Sequence, residues 1–246
     1  NESQQRADIV LKRPPFNVIQ MPQRDQLRAA FETLDADDRV RIIVLRAEGE
    51  HFSSGGDIKG FLDATPESVS KLAWNIAAPT RCTKPVIAAN HGYCFGVGFE
   101  ISLACDFRIV AESTLYALPE QKLGQIPGSG GSARLQKMVG ITRTKDIVMR
   151  SRRIKGQQAY EWGVATECVP DSELASAVSK LVDELRAFSP LAQRTAKKML
   201  NETEDCLLTT AIEVEGHCYS RLRNSDDFKE GVEAFHGKRQ PNFVGY

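Results

Sequence analysis

Three near-continuous apolar runs limit what this chain can fold into: "VRIIVLRAEG" (40–49), "KPVIAANHG" (84–92) and "FRIVAE" (107–112). A strand with one wet face alternates apolar and polar side chains, and these runs do not. Each must be covered on both faces, which happens when helices connect successive parallel strands. The segments between them have the period this requires. "RDQLRAAFETLDADD" (24–38) sets Leu27, Ala30, Phe31 and Leu34 along one helical face. "ESVSKLAWNIAAPTRCT" (67–83), "FEISLACD" (99–106) and "SARLQKMVG" (132–140) also read as helices. With "ADIVLKRP" (7–14) as a first strand running into Pro14-Pro15, the order is strand, helix, buried strand, and it recurs. The expected fold class is α/β.

The tail changes character. "SELASAVSKLVDELRAF" (172–188), "SPLAQRTAKKMLN" (189–201), "EDCLLTTAIEVEGHCYSRLR" (204–223) and "SDDFKEGVEAFHGKR" (225–239) all read as helices. Ser189-Pro190 and Ser225-Asp226-Asp227 are start signals, a capping hydroxyl followed by proline or acids in the first turn. An α/β core over residues 1–190 and a helical region over 191–246 are expected.

Charge and cysteine usage narrow the function classes. The chain has 32 basic and 32 acidic residues, a balance unlike that of a dedicated nucleic-acid binder. Its six cysteines form no C-x-x-C pair and read as small apolar filler in a reducing compartment. Its four histidines form no metal-ligand pair, so no metal is expected. No apolar run is long enough for a membrane span, and no signal peptide is visible, which makes the cytoplasm the expected location.

Chemistry is sought at three glycine turns. "HFSSGGDIKG" (51–60) follows a buried strand, and its paired glycines let another molecule approach bare backbone. "GYCFGVGFEISLACD" (92–106) opens a helix whose first N–H groups have no intrahelical partner, and places Glu100 among apolar neighbours. "LPEQKLGQIPGSGGSARL" (118–135) carries Glu120 and opens another helix. Familiar loops do not fit. Ile101 stands where a dinucleotide fingerprint needs glycine, no phosphate-binding P-loop occurs, and Ser129 does not lie in G-x-S-x-G. Taken singly, each turn reads as structural rather than functional.

Together, "HFSSGGDIK", "NHGYCFGVGFEISLACD" and "ALPEQKLGQIPGSGG" resemble the crotonase (enoyl-CoA hydratase/isomerase) superfamily, and the resemblance spans nearly the whole chain. It implies a spiral of β-β-α turns with a C-terminal helical oligomerisation region, assembled as a trimer or a dimer of trimers. It implies hydration or dehydration of an α,β-unsaturated acyl-CoA, with Glu100 and Glu120 as the catalytic pair. The backbone N–H groups of Gly56 and Val97 then form the oxyanion hole, valine standing where the family usually has glycine. The N–H of Gly128 helps position the water. Gly56, Asp57, Ile58 and Lys59, with Arg13, Phe235 and Lys238, are the implied coenzyme A contacts, the last two reaching across from a neighbouring subunit. Coenzyme A is a handle on the substrate, and no cofactor is implied. Phe61, Leu62 and Trp74 are candidates for the acyl-pocket wall.

The same motifs also resemble carnitinyl-CoA dehydratases. A dehydratase of carnitinyl or cyclic acyl type, an enoyl-CoA isomerase and a ring-opening hydrolase are therefore alternatives, with a non-enzymatic scaffold or an RNA-binding relative as the rival class. Two carboxylates and neutral charge favour the hydro-lyase.

Overall fold

The computed structural model describes residues 5–246. Its larger sheet holds five parallel strands: β1 (Arg6–Leu11), β2 (Ile42–Ala47), β3 (Val86–Asn90), β5 (Phe107–Ala111) and β8 (Glu167–Val169), in that spatial order. The smaller sheet contains β4 (Tyr93–Phe95), β6 (Leu115–Ala117) and β7 (Ile154–Lys155). Strands β4 and β6 are parallel, and β7 is antiparallel to β6. Successive turns send a long strand into the large sheet, a short one into the small sheet, and then a helix. Thus β3 and β4 precede helix Val97–Leu103, and β5 and β6 precede the 3₁₀ turn Pro119–Leu123 and helix Gly131–Met149.

The apolar runs are explained by what covers them. Ile43 and Leu45 of β2 face the main core with Phe31, Val86, Ala88 and Val110. Their neighbours Ile42 and Val44 face the other way, joining Ile87, Ile109, Val178 and Val182 beneath helix Leu174–Arg186. Period two therefore divides one strand between two cores, and no position is left for a polar residue.

Helix Met21–Ala36 begins three residues before the stretch read as helical, in a reciprocal cap between Gln20 and Gln23. The segment 67–83 is not one helix but three short ones, Pro66–Ser70, Leu72–Ile76 and Ala78–Arg81. Pro79, without an N–H, allows the last only as a fresh start. The helix expected to end at residue 140 continues to Met149, kinked where Gly140 takes φ 78° and ψ 166°. In the tail, Ser189 Oγ accepts from Ala192 N–H and Ser225 Oγ from Phe228 N–H, as their start signals indicate. The third tail helix starts at Leu208, not 204.

The tail is tied to the core by an ion pair. Lys197, on helix Pro190–Thr203, is buried and donates to the carbonyls of Pro79 and Lys84 and to Asp106 Oδ2 at 2.7 Å. Asp106 Oδ2 also accepts from Val86 N–H at the start of β3. Burial raises the Asp106 pKa even against the opposing Lys197 charge. No helix among the described residues is long and apolar enough to cross a membrane. Six cysteines are free; Cys82, Cys94 and Cys105 are buried filler, whereas Cys206 is exposed.

Candidate active site

Two loops meet at the site because backbone hydrogen bonds join them. Ser53 N–H donates to Tyr93 O and Phe95 N–H to Ser53 O, laying the segment after β2 alongside β4. Asn17 holds the first loop from behind. Its Nδ2 donates to the carbonyls of Glu48 and His51, and its carbonyl oxygen accepts from Ser53 Oγ. The loops touch through glycines. A Cβ on Gly55 would lie 3.3 Å from Phe95 O and 4.0 Å from Gly96 Cα. Gly96 has φ 48° and is the N-cap of helix Val97–Leu103, a conformation open to glycine at little cost.

The residues after these two glycines are therefore neighbours. They are Gly56 and Val97, whose N–H groups have no acceptor among the described residues. The Val97 side chain is 3% exposed and packs in the main core.

Glu100 lies one turn into the same helix and is 3% exposed. Its Oε1 accepts from Ser129 N–H at 2.7 Å and from Gly131 N–H at 3.1 Å, where helix Gly131–Met149 begins. Those donors sit at the positive end of the helix dipole, so the carboxylate is held in one orientation by fixed partial charge. Its Oε2 accepts nothing from the described residues, leaving it available to a substrate or water. Gly131 makes room for this carboxylate: a Cβ there would come within 2.8 Å of Glu100 Cγ.

Glu120 lies not in an open loop but in the 3₁₀ turn Pro119–Leu123. Its Oε1 would be 3.1 Å from a Cβ on Gly96, which puts the carboxyl against the turn that Val97 follows. Its Oε2 is buried without a partner. Burial pushes the Glu120 carboxyl up to about 7; its own backbone amide opposes this, and the Glu100 charge adds to it. A group poised there can hold a proton at neutral pH and release it.

The remaining expected residues divide into groups. Gly128 precedes the Glu100-binding amides; its N–H finds no acceptor among the described residues, and a Cβ there would meet only Leu72 Cδ1 at 4.0 Å. Asp57 caps helix Ile58–Leu62 and accepts from Gln20 Nε2 at 2.8 Å. Hydrogen bonds from Gln20 and from the Gly60 amide hold the Asp57 carboxyl below its ordinary value, and the Arg13 charge adds a smaller push in the same direction. Arg13, Ile58 and Lys59 are exposed nearby. Phe235 and Lys238 lie at the end of tail helix Asp226–Gly237, and no hydrogen bond or ion pair among the described residues joins them to this segment. Phe61 reaches Gly56, whereas Leu62 is 89% exposed and Trp74 lies under the Arg81 guanidinium.

One buried group was not read as functional from the sequence. Arg24, on helix Met21–Ala36, is 3% exposed and reaches Ser129 Oγ only at 3.4 Å. A cavity of 530 Å³ lies elsewhere, bordered by Arg108, Met138, Lys197 and Leu200. Its charged groups are already satisfied, Arg108 by three carbonyls and Lys197 by Asp106, so the carboxylate pair is the better candidate for chemistry.

Comparison with known proteins gives the family of this fold. The chain is similar to a probable mitochondrial enoyl-CoA hydratase 2 of Arabidopsis thaliana, 32% identical over 97% of this chain and 81% of that protein. It is 34% identical to a carnitinyl-CoA dehydratase of Salmonella enteritidis PT4, over 97% of this chain and 94% of the other. An enoyl-CoA hydratase structure from Bacillus anthracis superposes with a TM-score of 0.93 at 31% identity, covering 98% of this chain and 96% of that one. The sequence model of the enoyl-CoA hydratase/isomerase family matches residues 1–245. With relatives, fold and family pattern in agreement along its length, the chain belongs to the enoyl-CoA hydratase/isomerase (crotonase) family.

Proposed function

We propose that this protein reversibly adds water across the double bond of an α,β-unsaturated acyl-CoA thioester, through an enolate. One observation carries the reading: two carboxyls with different surroundings lie close enough for the charge of Glu100 to act on Glu120, one against the start of helix Val97–Leu103 and the other on the amides that open helix Gly131–Met149. Glu120 is pushed up to about 7 beside Gly96, and Glu100 is fixed by two amides. The Gly56 and Val97 N–H groups hold the charge that develops on the thioester oxygen, each such donor being worth about 10²–10³ in rate. Glu100 and the Gly128 N–H orient the water that attacks the β-carbon, and Glu100 takes the proton the water loses as the C–O bond forms; the two carboxyls return to their starting states by proton exchange with solvent. Glu120, in its acid form, gives the proton to the α-carbon.

The coenzyme A lies along Gly56, Asp57, Ile58 and Lys59 with Arg13 beside it. Phe235 and Lys238 complete the site from a neighbouring subunit of a trimer or dimer of trimers. The similarity to a carnitinyl-CoA dehydratase supports a second reading, the same steps run towards water loss on a hydroxylated acyl chain.

The test is loss of the ultraviolet band of crotonyl-CoA and longer enoyl-CoA thioesters, with solvent deuterium incorporation, for the native protein and for Glu100→Gln, Glu120→Gln and the double variant. Glu120→Gln is expected to lose about 10²–10⁴ in hydration and to stop exchange at the α-carbon. Glu100→Gln should damage hydration comparably but retain exchange. The double variant should be little worse than either, because the pair acts on one water. Near-native hydration in either single variant removes that residue from the mechanism.

A further inference from the structure

Arg24 is a cation without a counter-ion. It forms no ion pair within 4 Å among the described residues, and its Nε is buried without an acceptor. Its one side-chain hydrogen bond is the 3.4 Å contact with the Ser129 hydroxyl. Burial lowers its pKa, and the more distant Glu100 charge only partly offsets this. An unmatched guanidinium out of water is costly, and a packed apolar side chain of similar length would avoid that cost. Its surroundings suggest why it is present. A Cβ on Gly56 would lie 3.2 Å from Nη2, and Ser129 belongs to the turn that holds Glu100. The ring of Phe61 lies over this guanidinium, its centroid 5.2 Å from the guanidinium carbon, and is itself 39% exposed, so one partly exposed side chain stands between Arg24 and solvent.

We infer that Arg24 recognises a second carboxylate on the acyl group, making the preferred ligand a short dicarboxylic acid joined to coenzyme A through one end. The guanidinium fork matches a carboxylate with two parallel hydrogen bonds, and the unsatisfied Nε with a neighbouring Nη supplies that fork. Its closeness to Gly56 means that the carboxylate lies a few bonds from the thioester. The identification of Gly56 as the thioester end rests on the proposed hydratase reading; the need for an anion at Arg24 rests on burial alone. The inference concerns selectivity, and the same reaction proceeds at the double bond.

Equilibrium binding separates the inference from the chemistry, since saturated thioesters are not hydrated. Calorimetry is run with glutaryl-CoA and with pentanoyl-CoA, equal in length and differing in a terminal carboxylate against a methyl group. The native protein is expected to bind glutaryl-CoA at least about 30-fold more tightly, and Arg24→Met to erase that ratio, with Arg24→Lys between them. Equal affinities in the native protein overturn the inference without any variant. So does an unchanged ratio in Arg24→Met, or a loss of the same size on both ligands, as expected if Arg24 only balances Glu100 and steadies Ser129. Turnover of glutaconyl-CoA and pentenoyl-CoA is then compared. Failure to hydrate either, with selective glutaryl-CoA binding intact, sinks the hydratase reading and leaves the carboxylate site standing.

Discussion

Gly131→Ala puts a methyl group where the structure has reserved space for the Glu100 carboxylate. The new Cβ would meet Glu100 Cγ at 2.8 Å, Glu100 Oε1 at 3.1 Å and Leu118 Cδ2 at 3.2 Å. Carbon atoms rest at about 3.5 Å or more, so the Glu100 side chain must retreat by about 0.7 Å. The backbone does not object, since Gly131 is helical and alanine there gains about 1 kcal/mol. Overpacking costs about 1–3 kcal/mol, leaving a net loss of about 0–2 kcal/mol, or a fall in Tm of at most about 8 °C. Activity should suffer more. A misplacement near 1 Å costs about 10²-fold, so hydration should fall about 10- to 100-fold while the protein stays folded. Gly216→Ala is the control, a helical glycine whose Cβ meets nothing within 4 Å. Thermal unfolding by circular dichroism and the enoyl-thioester assay are run on both. A folded Gly131→Ala protein as active as Gly216→Ala would refute the claim that Glu100 must be held where it is.

The pH dependence follows from Glu120. Its carboxyl leaves the ordinary value of 4.5 for about 7 on folding, so the unfolded chain releases this proton first as pH rises. The stability it contributes is present below pH 4.5 and is lost as pH climbs through about 7. Denaturant titrations across that window should give a slope that Glu120→Gln lacks, and kcat/KM should fall above about pH 7 as the acid form disappears. Assembly is testable too. Leu207, Leu208, Ile212 and Phe235 are between 58% and 80% exposed on the tail, more apolar surface than a monomer usually shows. Light scattering should give a multiple of 27.2 kDa, three or six; a stable monomer at micromolar concentration would end the oligomer proposal.

The long strands were legible because burial on both faces leaves an apolar run that nothing interrupts, as in Ile42–Leu45. The caps at Ser189 and Ser225 were legible because the signal is local. The small sheet was not. Strands of three, three and two residues are too short to show a period, and their pairing depends on contacts such as Tyr93 with Leu115. The pairing of Glu120 with Glu100 was suggested only by the family resemblance, since a spacing of twenty positions says nothing about distance. Arg24 escaped notice for a different reason. On an amphipathic helix an arginine reads as solvated, and only the packing of Phe61 and Ser129 around it reveals burial. Asn17 was likewise silent, a turn residue whose amide organises a loop over thirty positions away.

The Lys197–Asp106 pair bears on how the chain is made. Synthesis delivers Asp106 to the start of β5 in the main sheet 91 residues before the cation that neutralises it. At about 5–20 residues per second the nascent chain carries that carboxyl for several seconds with only the Val86 amide and the Arg108 charge to offset its burial. During that time the corner between β3 and β5 must stay hydrated or keep Asp106 protonated. Closing this corner is thus a late, long-range step, and the tail helix that closes it also sets the earliest moment at which the sheet can exclude water.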